Sequence, residues 1–168
     1  MDDGKILHAS HDDIHVLRYI GDIRYTLSPS IDHFLEGIFV GPKPAGFVID
    51  LTQTDSIDST NLGLLARIAI RMQRLDAPQV TLLSNRADIN SLLTSMALDE
   101  VFNIVNESGL VPGAAQEVPQ EVPQENTDRE TLARTLIDAH RALMELNERN
   151  REMFQDVVAS LEKNHAGS

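Results

Sequence analysis

Residues 47–51 read Phe47-Val48-Ile49-Asp50-Leu51, and a few residues on comes Ile57-Asp58-Ser59-Thr60-Asn61-Leu62-Gly63-Leu64-Leu65. The first run is almost continuously apolar, as a central strand buried on both faces must be. In the second, Leu62, Leu65, Ala66, Ala69 and Met72 recur at helical spacing, predicting a helix from Ser59 to Leu75 with Arg67, Arg71 and Arg74 on its outer side. Between strand and helix lies Thr52 to Asp58, read as a loop. A buried strand feeding an amphipathic helix is the repeating unit of an α/β fold.

The flanking segments complete that unit. Lys5-Ile6-Leu7-His8 and Ile14 to Ile20 are strand candidates joined by Asp12-Asp13, which reads as a turn and gives an antiparallel pair at a sheet edge. Ser28-Pro29 opens a helix through about Phe39, with Ile31, Phe34, Leu35 and Ile38 inward. Gln79 to Leu83 is a further strand. Ala87 to Ala97 is a helix capped by Ser84 or Asn85, burying Ile89, Leu92, Leu93 and Met96, and Val101 to Val105 is a last short strand. The expectation is an α/β domain over residues 1–108, a mixed sheet with its helices packed on one face.

Beyond it the composition changes. Residues 109–126 carry the tandem repeat Glu117-Val118-Pro119-Gln120 and Glu121-Val122-Pro123-Gln124, the mark of an extended, semi-stiff linker. Residues 127–163 contain neither Gly nor Pro, and Thr127 to Glu130 reads as a capping box, so one long helix is expected, followed by a tail over 164–168. Leu132, Leu136, Ala139, Leu143, Leu146, Asn150, Met153 and Val157 form a heptad seam. Ala133, Ile137, Met144, Phe154, Val158 and Leu161 widen it. Such a face must be covered. It can pair as a coiled coil, fold back over the domain, or dock elsewhere. Asn150 at a core heptad position favours self-association or pairing with a partner helix.

Charge and composition narrow the partners. The net charge is −12, shared as −7 over residues 1–108 and −5 over the rest, which repels nucleic acid and anionic membranes. Basic or neutral protein surfaces are the better match. The absence of Cys removes disulfides, thiolate metal sites and cysteine nucleophiles. No run reaches membrane-span length, and the start Met1-Asp2-Asp3-Gly4 is acidic where a signal peptide is basic, so the expected location is the cytoplasm.

The stretch Asp58-Ser59-Thr60-Asn61-Leu62-Gly63-Leu64-Leu65 after an apolar strand resembles the signature of the STAS domains of bacterial anti-sigma-factor antagonists: Asp-Ser, a small residue, Gly, then Leu-Gly-x-Leu. Leu92 to Phe102 is similar to that family's closing helix and strand. The resemblance covers about residues 5–107 and departs from the pattern at Thr60 and Asn61, where the family has its small residue and Gly. It implies that Ser59 is phosphorylated by a serine kinase, often itself the anti-sigma factor, and dephosphorylated by a serine phosphatase. It also implies that Asp55, Asp58, Thr60, Asn61 and Leu62 meet the anti-sigma factor when Ser59 is unmodified. Ser56 and Thr60 are the alternative hydroxyls. Some STAS domains are instead unphosphorylated adaptor subunits of transport complexes.

Physical chemistry accommodates a phosphate at Ser59. It adds about −1.5 to −2 charges at a helix N-terminus, which favours it by about 0.3–1 kcal/mol, while a docked partner would have to desolvate it. By itself, though, Ser59 reads as an N-cap, the commonest role of Ser before a helix. An enzyme has weaker support. Asp50-Leu51-Thr52 lacks the second Asp of aspartyl phosphatases, no Gly-rich phosphate loop or nucleophile–base pair is evident, and the six His show no metal-ligand spacing. No cofactor is expected.

Overall fold

The computed structural model describes residues 4–106 and 118–166. Six strands form one sheet: β1 (Lys5–His11), β2 (Ile14–Ile23), β3 (Gly46–Ile57), β4 (Thr81–Leu83), β5 (Asn103–Val105) and β6 (Gln120–Glu121). They lie in the order β5-β4-β3-β2-β1-β6. The pairs β1–β2 and β1–β6 are antiparallel, and β2–β3, β3–β4 and β4–β5 are parallel. The parallel connections run through α1 (Ser28–Val40), α2 (Ser59–Arg74) and α3 (Ala87–Ser95). The mixed α/β sheet is therefore as expected, in the expected element order.

The β1–β2 turn needs only two residues. Asp12 and Asp13 both take positive φ, 51° and 62°, as a tight turn matching the strands' twist requires. Glycine reaches that region without steric cost. Asp13→Gly is expected to stabilise the protein by about 0.5–1 kcal/mol and raise the Tm by roughly 1–4 °C, read by thermal unfolding. The backbone bond from Ala45 N–H to Asp13 O survives the change.

The core is aliphatic: Leu17, Ile49, Leu51, Leu62, Leu65 and Leu82 are all buried, with Tyr19 and Phe47 as its large rings. The α2 stripe is buried as read, but so are Leu64 and Ile68 on its other side. A second layer lies on α2 at Gly63.

That layer corrects the single long helix. The chain forms α4 (Arg129–Leu146) and α5 (Glu148–Ala166), separated at Asn147, whose backbone is extended (φ −164°, ψ 173°). Asn147 Oδ1 accepts the N–H of Asn150 at 2.8 Å, so Asn147 caps a new helix instead of continuing the old one. α4 and α5 fold into a hairpin, and α4 packs on α2 and α1. The seam residues Ala139, Leu143 and Asn150 are buried within the chain, and in α5 burial shifts to the second row, Phe154 and Val158, leaving Met153 and Val157 about 40% exposed. The start is also displaced by one residue from the expected capping box. Asp128 is the N-cap, accepting from Thr131 N–H at 2.7 Å.

The linker is docked where it is described. β6 pairs with Leu7 and His8, Val122 N–H donates to Ile6 O at 2.8 Å with its side chain buried, and Glu125 N–H donates to Ser30 Oγ at 2.9 Å. This pairs part of the free edge of β1. Residues 109–117 of the linker lie outside the described residues, as do 167–168 of the expected tail, whose residues 164–166 belong to α5.

Candidate functional site

β3 does not end at Leu51. It continues to Ile57, so the expected loop from Thr52 is strand, and Asp58 alone separates it from α2. The extension follows β2, with register shifts between Arg18 and Ile20 and between Gly21 and Asp22, while β4 accompanies β3 only at Val48 to Asp50. Thr54 is buried and its hydroxyl donates to Tyr19 O at 2.8 Å.

The junction places the site residues differently from one another. Asp55 projects from the strand end, 75% exposed, and meets Arg86, which also donates to Thr54 O at 2.9 Å. Ser56 is exposed and donates to Asp22, whose carboxyl is held below its ordinary pKa by that bond and then by Arg24. Asp58 is the true N-cap: its Oδ1 accepts both the backbone N–H and the side-chain amide of Asn61, each at 3.0 Å. Thr60, Asn61 and Leu62 are buried. Asn61, where the family has Gly, thus works inside the cap, and its own Oδ1 is buried without a protein partner.

Ser59 is not the cap. It is the first residue of α2, half-buried, and its hydroxyl lies 2.9 Å from Nε2 of His140 on α4. His140 Nδ1 sits 2.7 Å from Leu136 O, which can only accept. A ring with one proton therefore carries it on Nδ1 and accepts the Ser59 O–H at Nε2. Phe154 of α5 packs against the imidazole, ring centroids 5.3 Å apart, and His140 is 5% exposed. Four residues along α2, a Cβ on Gly63 would stand 2.9 Å from Ala139 Cα and closer still to its carbonyl. The bare glycine is what lets α4 lie directly on the first turns of α2.

A hydroxyl bonded to a neutral imidazole is also how a serine nucleophile is activated, but that chemistry needs room and donors for a reacting oxyanion. Here the hydroxyl points into the α4 contact. The described clefts lie elsewhere, one of them between Arg67, Arg71 and Arg74 on α2 and Asp138, Arg141 and Glu145 on α4. The arginine row is engaged, not simply solvated: Arg67 bonds Asp32 at 2.7 Å, Arg71 bonds Glu36 and stacks 4.5 Å from the Phe39 ring centroid, and Arg74 reaches Glu145 at 3.8 Å.

His8 and His15 meet across β1 and β2, Nε2 to Nδ1 at 2.9 Å, stacked among Phe34 and Phe47. Burial first, and His15 second, lowers the pKa of His8 to about 4. Among the described residues no group of three or more His, Asp or Glu is placed to hold a metal, and no helix is long and apolar enough to cross a membrane.

Sequence reasoning missed His140, 81 positions from Ser59 in the chain, and no local pattern pairs them. It also missed Gly63 as a docking surface. A hint lay in Ile70, an apolar position outside the single stripe that borders the α2–α4 cleft.

Comparison with known proteins agrees with the geometry. The chain shares its fold with a solved structure described as an anti-sigma factor antagonist from Mycobacterium paratuberculosis, at a TM-score of 0.54 and 17% identity, over 63% of this chain and 88% of that one. No curated protein sequence matches the chain. The STAS domain family matches residues 5–109, spanning β1 to β5 and the Ser59 junction. The chain belongs to the STAS-domain family.

Proposed function

We propose that the protein is an anti-sigma-factor antagonist switched by phosphorylation of Ser59. The observation that carries this reading is the position of Ser59 in the family signature, the first residue of α2 immediately after the Asp58 cap. The solved structure with the same fold, itself described as an anti-sigma factor antagonist, supports the role. Unphosphorylated, the protein holds an anti-sigma factor through Asp55, Asp58 and the outer surface of the first turns of α2, which Thr60, Asn61 and Leu62, buried as they are, support from within, and so frees a sigma factor in the cytoplasm. A serine kinase ends that state and a serine phosphatase restores it. The protein acts by binding and not by catalysis.

Desolvating a phosphate against a docked surface costs several kcal/mol, enough to lower affinity by about 100-fold or more. The fold tolerates the group because the N-terminus of α2 favours negative charge. Ser59→Ala is expected to hold the anti-sigma factor irrespective of kinase, and Ser59→Glu to lose it by about 100-fold, measured by capture from the native host and titration of the captured partner.

The first experiment maps phosphate by peptide mass spectrometry across residues 46–67 of protein from its native host. Phosphate on Ser59 that varies with growth condition is the expected result. Phosphate confined to Ser56 or Thr60 moves the switch to that residue. Its absence in every condition favours the second reading, an adaptor subunit of a transport or signalling complex. That reading draws on one observation: the hydroxyl of the half-buried Ser59 is engaged by His140.

A further inference from the structure

The face that the proposed function assigns to a partner is already occupied by the chain itself. α4 lies on the first turns of α2, with Ala139 against Gly63 and His140 on the Ser59 hydroxyl. Every partner that docks on this face, and every kinase that reaches Ser59 Oγ, competes with α4.

Four features make α4 and α5 a separable unit. The two helices pack on each other, joined by the Arg141–Glu162 ion pair and by Asn150 Nδ2 donating to Leu143 O at 2.9 Å. Their tether is anchored upstream of the hairpin, at β6, Val122 and Glu125, and the elbow is held to the end of α3 by Asn150 Nδ2 donating to Met96 O at 2.8 Å, so the hairpin lifts from α2 by pivoting on that bond or breaking it. The α2–α4 seam is tight at Gly63, and from Arg67 to Arg74 it borders a cleft of about 440 Å³ lined mostly by charged side chains. Finally, the polar contact at the tight end is one hydrogen bond whose proton belongs to the group a kinase would modify.

That last contact sets the direction of the switch. At 2.9 Å the line from Ser59 Oγ to His140 Nε2 holds a proton and nothing larger. A phosphoryl group replaces that proton, removes the hydroxyl donor, and brings negative charge beside Asp58 and beneath the buried imidazole. Of the first-turn amides of α2, Asn61 N–H is held by the Asp58 carboxylate and Leu62 N–H by Asp58 O, so a phosphate has no more than the first two, at Ser59 and Thr60, to meet once α4 has moved away.

We propose that the α4–α5 hairpin is a built-in, displaceable cover of the Ser59 face, closed on the uncharged serine and opened by phosphorylation at that position. In the closed form it lowers the affinity of any partner for this face by the fraction of time the face is covered, and it shields Ser59 from the kinase by the same factor. Because the cover is tethered, it reseals as soon as the face is vacant and uncharged. The inference rests on the proposed function for the identity of the face, not for the opening itself.

The test is hydrogen–deuterium exchange with mass spectrometry on three full-length chains: unmodified, carrying phosphoserine at position 59 by genetic encoding, and Ser59→Gln as a neutral control of similar bulk. The expected result is exchange about tenfold faster across α4 and the first turns of α2 in the phosphoserine chain, with β1 to β3 unchanged and the Gln chain much less affected. Unchanged or slower exchange in α4 would overturn the proposal, the latter because phosphate would then be stapling a protonated His140. Equal acceleration in the Gln chain would make bulk and not charge the cause, and overturns it too. Loss of protection through the sheet as well would show that the hairpin is not separable. None of these outcomes depends on a kinase existing in the host, so absence of native phosphate would sink the proposed function while leaving this result readable.

Discussion

Gly63→Ala is expected to destabilise the closed protein by about 3 kcal/mol, at the upper end for overpacking, and to lower the Tm by roughly 6–12 °C. The reason is the identity of what the new methyl meets. It would stand 2.9 Å from Ala139 Cα and closer to the Ala139 carbonyl, and backbone cannot rotate out of the way as a side-chain tip can. The sheet side of α2 offers no relief, since Leu62 and Leu65 are buried there. The accessible response is for α4 to withdraw from the first turns of α2, which gives up the packing of the two helices against each other. Alanine has the better helix propensity by about 1 kcal/mol, so an isolated α2 would gain from the substitution. A measured stabilisation in urea or thermal unfolding would therefore mean that α4 does not lie on Gly63 in solution. The family signature explains why a glycine stands here; in this chain the bare surface it leaves is filled intramolecularly.

Most of the domain was legible because its elements carry their own periodicity. β3 through Leu51, the inward stripes of α1, α2 and α3, and the tight turn at Asp12-Asp13 all follow from local pattern and turn chemistry. What escaped was set by tertiary contact. Thr52 to Ser56 reads as a polar loop because the register shifts against β2 break its alternation, and only the pairing of those residues with β2 makes them a strand. The break at Asn147 carries no Gly or Pro. An asparagine there reads equally as a polar residue within a helix or as the cap of the next one, and the capping bond from Asn150 decides. The site was half legible: Asp58 and Ser59 stand at the strand–helix junction as the motif required, but the cap belongs to Asp58. The partner of Ser59 sits on a helix that the sequence pattern assigned to a different interface. An apolar face announces that it must be covered, not by what.

Asn150 shows how far that distinction reaches. A buried asparagine on a heptad seam predicts a coiled coil whose register it specifies. In the structure it is fully buried at the elbow between α4 and α5, where Nδ2 donates to Leu143 O at 2.9 Å and to Met96 O at 2.8 Å. It ties the hairpin to itself and to the end of α3. Asn150→Ala leaves both carbonyls without this donor, and each buried unsatisfied group costs about 1–3 kcal/mol. The gain in helix propensity is smaller, so a net loss of about 2–4 kcal/mol is expected, seen as a lower urea midpoint at unchanged m. Asn150→Asp sharpens the test because it keeps the shape and replaces the donor by an oxygen facing two carbonyls. Its folded-state pKa must then lie above the unfolded value of about 3.9. Below that value the group is protonated in both states and the charge penalty is absent; it grows as pH rises toward the folded-state pKa and is full above it. At neutral pH the Asp variant should therefore be less stable than the Ala variant, with the gap closing on acidification. A variant pair indistinguishable at neutral pH would mean that the elbow is open to water and that Asn150 clamps nothing.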